Sequence, residues 1–311
     1  MLLLRSLIYL IFLFVTVAPW GLMSCLVFPL RMPQRYLLIT YWTTIAIWGA
    51  KHIMGIDYQV LGLDHIPDRK KNGGVIFLAK HQSRYETLLF RSLFQYMCYV
   101  YKRELHWVPF FGWGIALCDM IPIDRAKGKQ ALDQVAEVGG KKLRGGWNMI
   151  MFPEGTRVDL GQKRRYKIGG TYLSVATRVP VVPVAHNAGD VWPRGKWTKQ
   201  PGTVTVSIGA PIYPGDMTAE QQMAKVEAWI EAEMRARFPH QYVGGGLKQS
   251  TTFMPMRETS ETSETKEPNA AGADGAVVAA AAADGADTSN SANTADTAAD
   301  TAATAGALRS R

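Results

Sequence analysis

The stretch that decides the fold is Leu78–Arg91, which reads LAKHQSRYETLLFR. It continues an apolar run, residues 74–78, that follows the turn pair Asn72-Gly73. Val, Ile and Phe between turn residues predict a buried strand. A histidine, a polar turn and an acid come next, and the acid, Glu86, opens a segment with the apolar periodicity of a helix. The stretch therefore predicts a strand, a polar turn and a helix.

Two interpretations of the acid in this turn stay open from the segment alone. Residues five apart on one helix point about 140° away from each other, so a contact between His81 and Glu86 requires His81 to lie in the turn. Such a carboxylate would fix the imidazole tautomer and strengthen His81 as a general base. The same letters also fit a capping box, in which Ser83 caps the helix and Glu86 reaches back to the Ser83 amide.

Composition indicates a basic protein with no disulfide framework. The 311 residues carry a formal net charge of +9, and the positive charge is concentrated before Thr251 because acids outnumber bases after it. A strongly basic body suits anionic partners such as phosphates, an acidic membrane surface or nucleic acid. The three cysteines, Cys25, Cys98 and Cys118, are scattered and form no CxxC motif. This pattern argues against a zinc site and fits a reducing compartment.

The start of the chain is membrane-like. Ser6–Leu30 contains no charged residue and exceeds the ~20 apolar residues that cross a bilayer. A second apolar segment, Tyr36–Ala50, is shorter and contains Trp and Thr, which suit an interfacial helix as well as a second span. Arg31 and Arg35 lie between the segments, and the positive-inside bias places them on the cytoplasmic side. We therefore expect residues 1–56 to form membrane-anchoring helices.

Residues 57–246 have the pattern of one catalytic domain. Short apolar strands that alternate with helices predict an α/β fold with a mixed, largely parallel sheet covered by helices. The predicted strands are Tyr58–Leu61, Val75–Leu78, Met97–Tyr101, Asn148–Phe152, Val181–Ala185 and Thr203–Ile208. The predicted helices are Tyr85–Phe94, Lys127–Leu143, Gly170–Thr177 and Thr218–Phe238. Residues 247–311 are rich in Ala, Thr, Ser and Asp, and we expect them to form a disordered tail because they lack core-forming side chains.

Three further stretches of this domain carry groups that suit chemistry on phosphates. They are KREL at 102–105 followed by PFFGW at 109–113, IPIDR at 121–125, and FPEGTR at 152–157. In the last one an apolar strand runs into a turn with an acid and an arginine, and α/β folds place their sites at such strand ends. The guanidinium of arginine matches phosphate bidentately. Each stretch alone also fits a salt bridge or a solvated surface, but together they place several cations beside one candidate base.

The combination of KHQSRYE, KREL with PFFGW, IPIDR, FPEGTR and VPVVPVAHN resembles the glycerophospholipid acyltransferases, in particular the bacterial 1-acyl-sn-glycerol-3-phosphate acyltransferases. The resemblance extends over about 75–184, with the motifs in order. It implies that His81 is the general base and Glu86 its orienting acid. Two residues depart from the family pattern, because the family usually has Asp at the position of Glu86 and often has Asn at the position of Lys80. The substrate-binding residues that the resemblance implies are Lys102, Arg125, Glu154, Gly155, Thr156 and Arg157.

The resemblance also implies a reaction and its setting. We expect acyl transfer from acyl-CoA or acyl carrier protein to the free sn-2 hydroxyl of 1-acyl-sn-glycerol 3-phosphate, with phosphatidic acid as product. No cofactor, metal or nucleic acid is expected, and main-chain amides near Glu86 or Gly155 are candidate donors to the oxyanion. The expected location is the cell inner membrane, with the active site facing the cytoplasm. The alternatives are another lysolipid acceptor, such as a lysophospholipid or lyso-ornithine lipid, and a non-catalytic membrane protein that binds acidic lipid.

Overall fold

A computed structural model describes residues 1–94, 96–124 and 127–242 of the chain. The predicted tail at 247–311 lies outside the described residues, and so does Arg125 of the IPIDR motif. The domain boundaries at residues 56 and 246 therefore stay predictions.

The domain is built on a seven-stranded sheet in the order β1-β7-β6-β2-β5-β3-β4. Every neighbouring pair is parallel except β6 and β7, which run antiparallel. This arrangement confirms the predicted mixed, largely parallel sheet. The strands are β1 (Ile56–Leu61), β2 (Ile76–Ala79), β3 (Met97–Lys102), β4 (Ile121–Ile123), β5 (Asn148–Met151), β6 (Val181–His186) and β7 (Gly202–Ile208).

The strand that the sequence did not predict is β4, at the edge of the sheet. It has three residues, and Pro122 in its middle has no N–H for a ladder. Proline is confined to edge strands for this reason, and a three-residue strand gives no readable periodicity. Only the pairing with β3 reveals it.

Helices cover both faces of the sheet, and the four predicted helices are present as α5, α7, α8 and α10. The helices are α1 (Leu2–Leu26), α2 (Met32–Thr40), α3 (Trp42–Gly49), α4 (Arg69–Asn72), α5 (Tyr85–Leu93), α6 (Phe111–Ala116), α7 (Gly128–Arg144), α8 (Gly169–Thr177), α9 (Ala188–Val191) and α10 (Ala219–Arg237). A capping box fixes the start of α10, because the Thr218 side chain accepts from the Gln221 amide and the Gln221 side chain accepts from the Thr218 amide.

The central strand β2 explains why its sequence is a continuous apolar run. Its alternate residues enter two different core clusters, Phe77 and Ala79 in one and Ile76 and Leu78 in the other. All four are fully buried. A parallel strand with helices on both faces has no solvent side, so the polar alternation of a half-buried strand is absent.

The N-terminal helices pack against the domain along their length. Within the described residues, α1 is the one helix that is long and apolar enough to cross a membrane. Its side chains nevertheless make polar contacts: the Tyr9 hydroxyl donates to the Ala46 carbonyl of α3 at 2.9 Å, and the Ser6 hydroxyl accepts from the Lys199 amide of the domain at 2.9 Å. Tyr9 also belongs to the core cluster that contains Phe77 and Ala79 of β2.

The second apolar segment does not form one long helix. It is divided at Tyr41 between α2 and α3. The hydroxyls of Thr40 and Thr43 donate back to the carbonyls of Tyr36 and Thr40, a bond that competes with the helical ladder and bends helices. The Tyr36 hydroxyl donates to the Met97 carbonyl at 2.6 Å, which attaches α2 to β3. The segment is therefore two short helices packed against the sheet, and its position relative to a membrane stays a prediction.

Candidate active site

The two turns that carry the predicted site residues lie side by side. Strands β2 and β5 are parallel neighbours, so their carboxyl ends meet at one edge of the sheet. The turn after β2 carries His81, and the turn after β5 carries the Glu154–Arg157 segment. This edge is where ligands bind in open α/β sheets.

The His81–Glu86 contact that the resemblance implies is present, with His81 in the turn before α5. The His81 Nδ1 lies 2.8 Å from the Glu86 Oε1, and the same oxygen accepts from the amides of Gln82 at 3.0 Å and Ser83 at 2.8 Å. Burial alone raises the pKa of Glu86, but the hydrogen bond from His81 and the Ser83 amide bring that pKa below its ordinary value. An ionised carboxylate accepts, so Nδ1 carries the hydrogen and Nε2 is the basic nitrogen of the His81 ring.

The capping-box interpretation is half right. The Glu86 carboxylate does reach back to the Ser83 amide, as a capping box requires. The Ser83 hydroxyl, however, accepts from the Tyr85 amide at 3.1 Å and donates to the Trp192 carbonyl at 2.8 Å. One carboxylate therefore orders the turn and holds the imidazole, and the two interpretations are not exclusive.

The turn after β5 encloses His81 from the other side. The His81 amide donates to the Glu154 Oε2 at 2.9 Å, and the His81 carbonyl accepts from the Val158 amide at 2.8 Å. The Phe152 ring stacks on the imidazole, with centroids 3.9 Å apart and an interplanar angle of 18°. The FPEGTR motif thus holds the main chain and the ring of His81, roles that its spacing did not reveal.

Glu154 is enclosed and does not line the cavity beside His81. Its side chain is 0% exposed, and it pairs with the Lys80 ammonium at 3.1 Å. That ammonium also contacts Glu231 of α10 at 2.8 Å, and the Tyr166 hydroxyl donates to the same Glu231 oxygen. Burial raises the pKa of Glu154 to about 7, against the opposing effect of Lys80. These contacts are those of a positioning residue, whereas the resemblance implies that Glu154 binds substrate.

Gly155 allows the turn after β5 to close. Its φ of +69° is a conformation that side chains rarely adopt, and a Cβ there would lie 3.1 Å from the Lys167 side chain. The Gly155 amide donates to the Phe152 carbonyl at 3.0 Å. This amide and those of Gln82 and Ser83 are therefore already in use in this conformation, and none of the three is available to an oxyanion.

A cavity of about 640 Å³ lies beside His81. This volume is in the range of small-molecule sites. His81, Arg84 and Arg157 are among its polar lining residues, and α1 and the segment around α6 supply much of its apolar wall. Apolar residues of that wall include Leu10, Leu13, Phe14, Val17, Phe110 and Ile115. An elongated apolar ligand with an anionic group matches this lining.

The predicted cationic residues are only partly brought together. Arg157 lines the cavity, and burial together with the charges of Arg84 and Arg194 lowers its pKa. Thr156, beside it in the turn, is half-buried. Lys102 is 44% exposed, pairs with Glu104 at 2.8 Å and is not part of the cavity lining.

Arg84 is a cavity residue that the sequence analysis missed. It is exposed and lies in the turn between His81 and Glu86. Its place inside the most informative motif was the available signal, but an arginine in an exposed turn is ordinary. The roles of all these residues toward substrate stay predictions.

The comparison with protein families defines the class. Residues 57–187 match the family described as Acyltransferase. A match at 38% identity over 242 residues covers 93% of a curated relative. The chain belongs to the acyltransferase family, and the resemblance drawn from its motifs is confirmed.

That relative is the 1-acyl-sn-glycerol-3-phosphate acyltransferase of Pseudomonas aeruginosa, and the match covers 76% of this chain. The human 1-acyl-sn-glycerol-3-phosphate acyltransferase beta is 27% identical over 192 residues, which cover 61% of this chain and 68% of the relative. Among solved structures, the 1-acyl-sn-glycerophosphate acyltransferase PlsC of Thermotoga maritima matches with a TM-score of 0.64 at 23% identity. That match covers 76% of this chain and 97% of the other and supports the fold.

Proposed function

We propose that the protein transfers a fatty acyl group from an acyl thioester to the free sn-2 hydroxyl of 1-acyl-sn-glycerol 3-phosphate, with phosphatidic acid as product. One observation carries the proposal: the His81–Glu86 pair lies beside an apolar cavity that also contains Arg157. The names of the curated relatives support the same acceptor. A protein that only binds acidic lipid has no need of a histidine held in one tautomer by a buried carboxylate.

The proposed step begins with proton transfer to His81. A hydroxyl is a poor nucleophile at neutral pH, so Nε2 takes its proton as the oxygen attacks the thioester carbonyl. The resulting tetrahedral intermediate collapses and the carbon–sulfur bond breaks. Nε2 returns its proton to the departing sulfur, which leaves as a thiol. The ionised Glu86 stabilises the imidazolium that exists between these two transfers. The net change is one ester formed and one thioester broken.

The proposed substrates match the two parts of the cavity. The acyl chain lies along the apolar wall from α1, and the phosphate lies toward Arg157. Arginine binds phosphate through two parallel N–H···O bonds. Acyl-CoA or acyl carrier protein supplies the thioester, and the proposed step uses no cofactor or metal.

We further propose that α1 lies along one membrane leaflet. Its contacts with the domain extend from Ser6 to Gly21, where a Cβ would lie 2.6 Å from Phe110. A helix attached over that length cannot leave the domain to cross a bilayer alone. Its other side exposes large apolar side chains that suit lipid. They include Leu3, Leu4, Leu7, Ile11, Val15 and Leu22. This placement opens the cavity toward lipid acceptors in the membrane. We assign the protein to the inner membrane, with its active site on the cytoplasmic face.

A panel of acceptors tests the proposed function. The purified protein is given a labelled acyl thioester with 1-acyl-sn-glycerol 3-phosphate, other lysophospholipids or lyso-ornithine lipid, and each product is identified by mass. We expect phosphatidic acid as the main product, and none from a folded His81→Ala variant. Preferred acylation of an acceptor other than 1-acyl-sn-glycerol 3-phosphate would replace the proposed substrate, and absence of transfer to every acceptor would contradict the activity.

A further inference from the structure

The peptide unit between Lys80 and His81 is hydrogen-bonded on both sides by buried side chains. The Lys80 carbonyl lies 2.6 Å from the His186 Nε2, and the His81 amide donates to the Glu154 Oε2 at 2.9 Å. His186 ends β6 and Glu154 follows β5, the two strands that flank β2 in the sheet. Both side chains are 0% exposed. Hydrogen bonds from the ends of both neighbouring strands therefore hold one peptide unit at the point where β2 ends.

The protonation state of His186 follows from its second contact. The Ala188 amide donates to the His186 Nδ1 at 3.2 Å, so Nδ1 is an acceptor and carries no hydrogen. Nε2 then carries the hydrogen and donates to the Lys80 carbonyl. Burial, which lowers the pKa of His186, favours this neutral form. The Phe90 ring packs edge-on against the imidazole, with centroids 5.6 Å apart, and restricts its rotation.

The Lys80 side chain holds Glu154, the hydrogen-bond partner of the His81 amide, in place. Its buried ammonium lies between Glu154 at 3.1 Å and Glu231 at 2.8 Å. This pairing orients the Glu154 carboxylate toward the His81 amide and connects it to α10. Lys80 is also one of the two positions at which the sequence departs from the family pattern. The departure therefore introduces a cation that a neutral Asn would not supply.

We propose that His186 and Glu154 form a peptide clamp that positions His81 for proton transfer. The inference rests on the proposed role of His81 as base. Neither clamp residue lines the cavity, so both act through His81 and are positioning residues. Glu86 sets the tautomer of the ring, and the clamp sets the main-chain position from which the ring extends. A displacement of about 1 Å in such a group can lower a rate about a hundredfold.

Two substitutions of His186 test the clamp. His186→Leu removes the donor to the Lys80 carbonyl, whereas His186→Gln keeps an N–H group near the position of Nε2. We expect His186→Leu to lower kcat about tenfold to a hundredfold with little change in either KM, and His186→Gln to recover most of the rate. His65→Leu is the matched control, because the His65 Nδ1 also contacts a main-chain carbonyl, that of Ile208 at 2.8 Å, outside the cavity. Its kcat should stay at the wild-type level.

A spectroscopic measurement separates the clamp from the reaction. In ¹⁵N-histidine-labelled protein without substrate, His186→Leu should shift or broaden the His81 ring signals, and His65→Leu should not. This result holds even if the acceptor panel shows no acyl transfer, so failure of the proposed function and failure of the clamp are distinguishable. A folded His186→Leu protein with wild-type kcat and unchanged His81 signals would overturn the proposal. Equal kcat losses in His186→Leu and His186→Gln would also overturn it.

If His186→Leu does not fold, the other side of the peptide provides the same comparison. Glu154→Gln keeps an oxygen that can accept from the His81 amide, whereas Glu154→Leu removes it. We expect Glu154→Gln to retain several times the kcat of Glu154→Leu and to leave the His81 ring signals closer to those of the wild type. Equal losses in the two variants would contradict the clamp.

Discussion

The segments after β2 and β5 each place a fully buried glutamate beside His81, yet the pKa values of the two carboxyl groups are shifted in opposite directions. Glu86 and Glu154 are both 0% exposed. The pKa of Glu86 lies below its ordinary value, whereas that of Glu154 is raised to about 7. Burial acts in the same direction on both, so the difference comes from what surrounds them.

The surroundings differ in the number of donors per carboxylate. Glu86 accepts from the His81 ring and from two amides of its own turn. Glu154 accepts from one amide and shares the Lys80 ammonium with a second carboxylate, Glu231. Two carboxylates around one ammonium leave one negative charge unbalanced, and the charge of Glu231 adds to the effect of burial in raising the pKa of Glu154. We therefore expect Glu86 to supply a negative charge to the reaction and Glu154 to hold the main chain of His81 in position.

The largest expected effect is at the group that both turns hold. His81→Ala removes the base, so turnover should fall by about 10²–10⁴, the contribution of general acid–base catalysis. Initial rates with saturating acyl thioester and acceptor measure it, and circular dichroism establishes that the variant is folded. Substantial turnover by folded His81→Ala would show that another group takes the proton.

Substitution of the two glutamates breaks the comparison directly. Glu86→Gln keeps the shape and part of the turn's hydrogen bonding but removes the charge that stabilises the imidazolium. We expect kcat to fall at least tenfold with little change in melting temperature, and Glu86→Asp to lose less. Glu154→Gln should lower kcat less than Glu86→Gln, because it keeps an acceptor for the His81 amide. The reverse order of the two Gln variants would place the catalytic charge on Glu154 and contradict its assignment to Glu86.

Arg157 separates binding from chemistry within the second turn. Arg157→Ala removes a charge-assisted contact, so the KM for the acyl acceptor should rise about tenfold. The KM for the acyl thioester should change by less than about twofold. Lys102→Ala provides the control, since that lysine is exposed, pairs with Glu104 and does not line the cavity. An Arg157→Ala variant with unchanged acceptor KM would favour an acceptor without a phosphate.

The smallest expected effect is the pH dependence of stability that Glu154 introduces. Its folded-state pKa of about 7 exceeds its ordinary value of 4.5, so between these values the folded protein holds a proton that the unfolded chain has lost. Raising the pH through this range therefore weakens the folded state. Glu154→Gln cannot titrate, and its melting temperature minus that of the wild type should increase as the pH rises from 4.5 to about 7. A difference that decreases over this range would reverse the assigned direction.

Local patterns predicted most of the fold and the centre of the site. The apolar run of β2 and the periodicity of α5 identify their elements, because each depends on neighbours a few residues away. The spacing of His81 and Glu86 allowed a contact across a single turn, and the resemblance implied that this contact forms. The strand β4 was missed because three residues around a proline carry too little local signal.

Contacts between distant segments could not be predicted in the same way. The resemblance places Glu154 among substrate-binding residues, but the structure encloses its carboxylate with Lys80. That pairing depends on the order of β2 and β5 in the sheet, which no local pattern contains. Arg84 was missed for the same reason, since the cavity that it lines is formed by segments far apart in the chain, among them α1 and α6.

The sequence by itself determined the strand–turn–helix unit around His81 and the apolar N-terminal helix, because short-range periodicity and spacing encode them. Its motifs also carried the resemblance to the acyltransferases. Only the tertiary structure decided which buried acid has a lowered pKa and which has a raised one. That outcome depends on how many donors surround each carboxylate. The donors to Glu154 come from the turn after β2, and one of them, Lys80, is shared with Glu231 of α10. The contacts between residues 80 and 231 bring together groups far apart in the chain, and desolvation then makes their charge balance decisive.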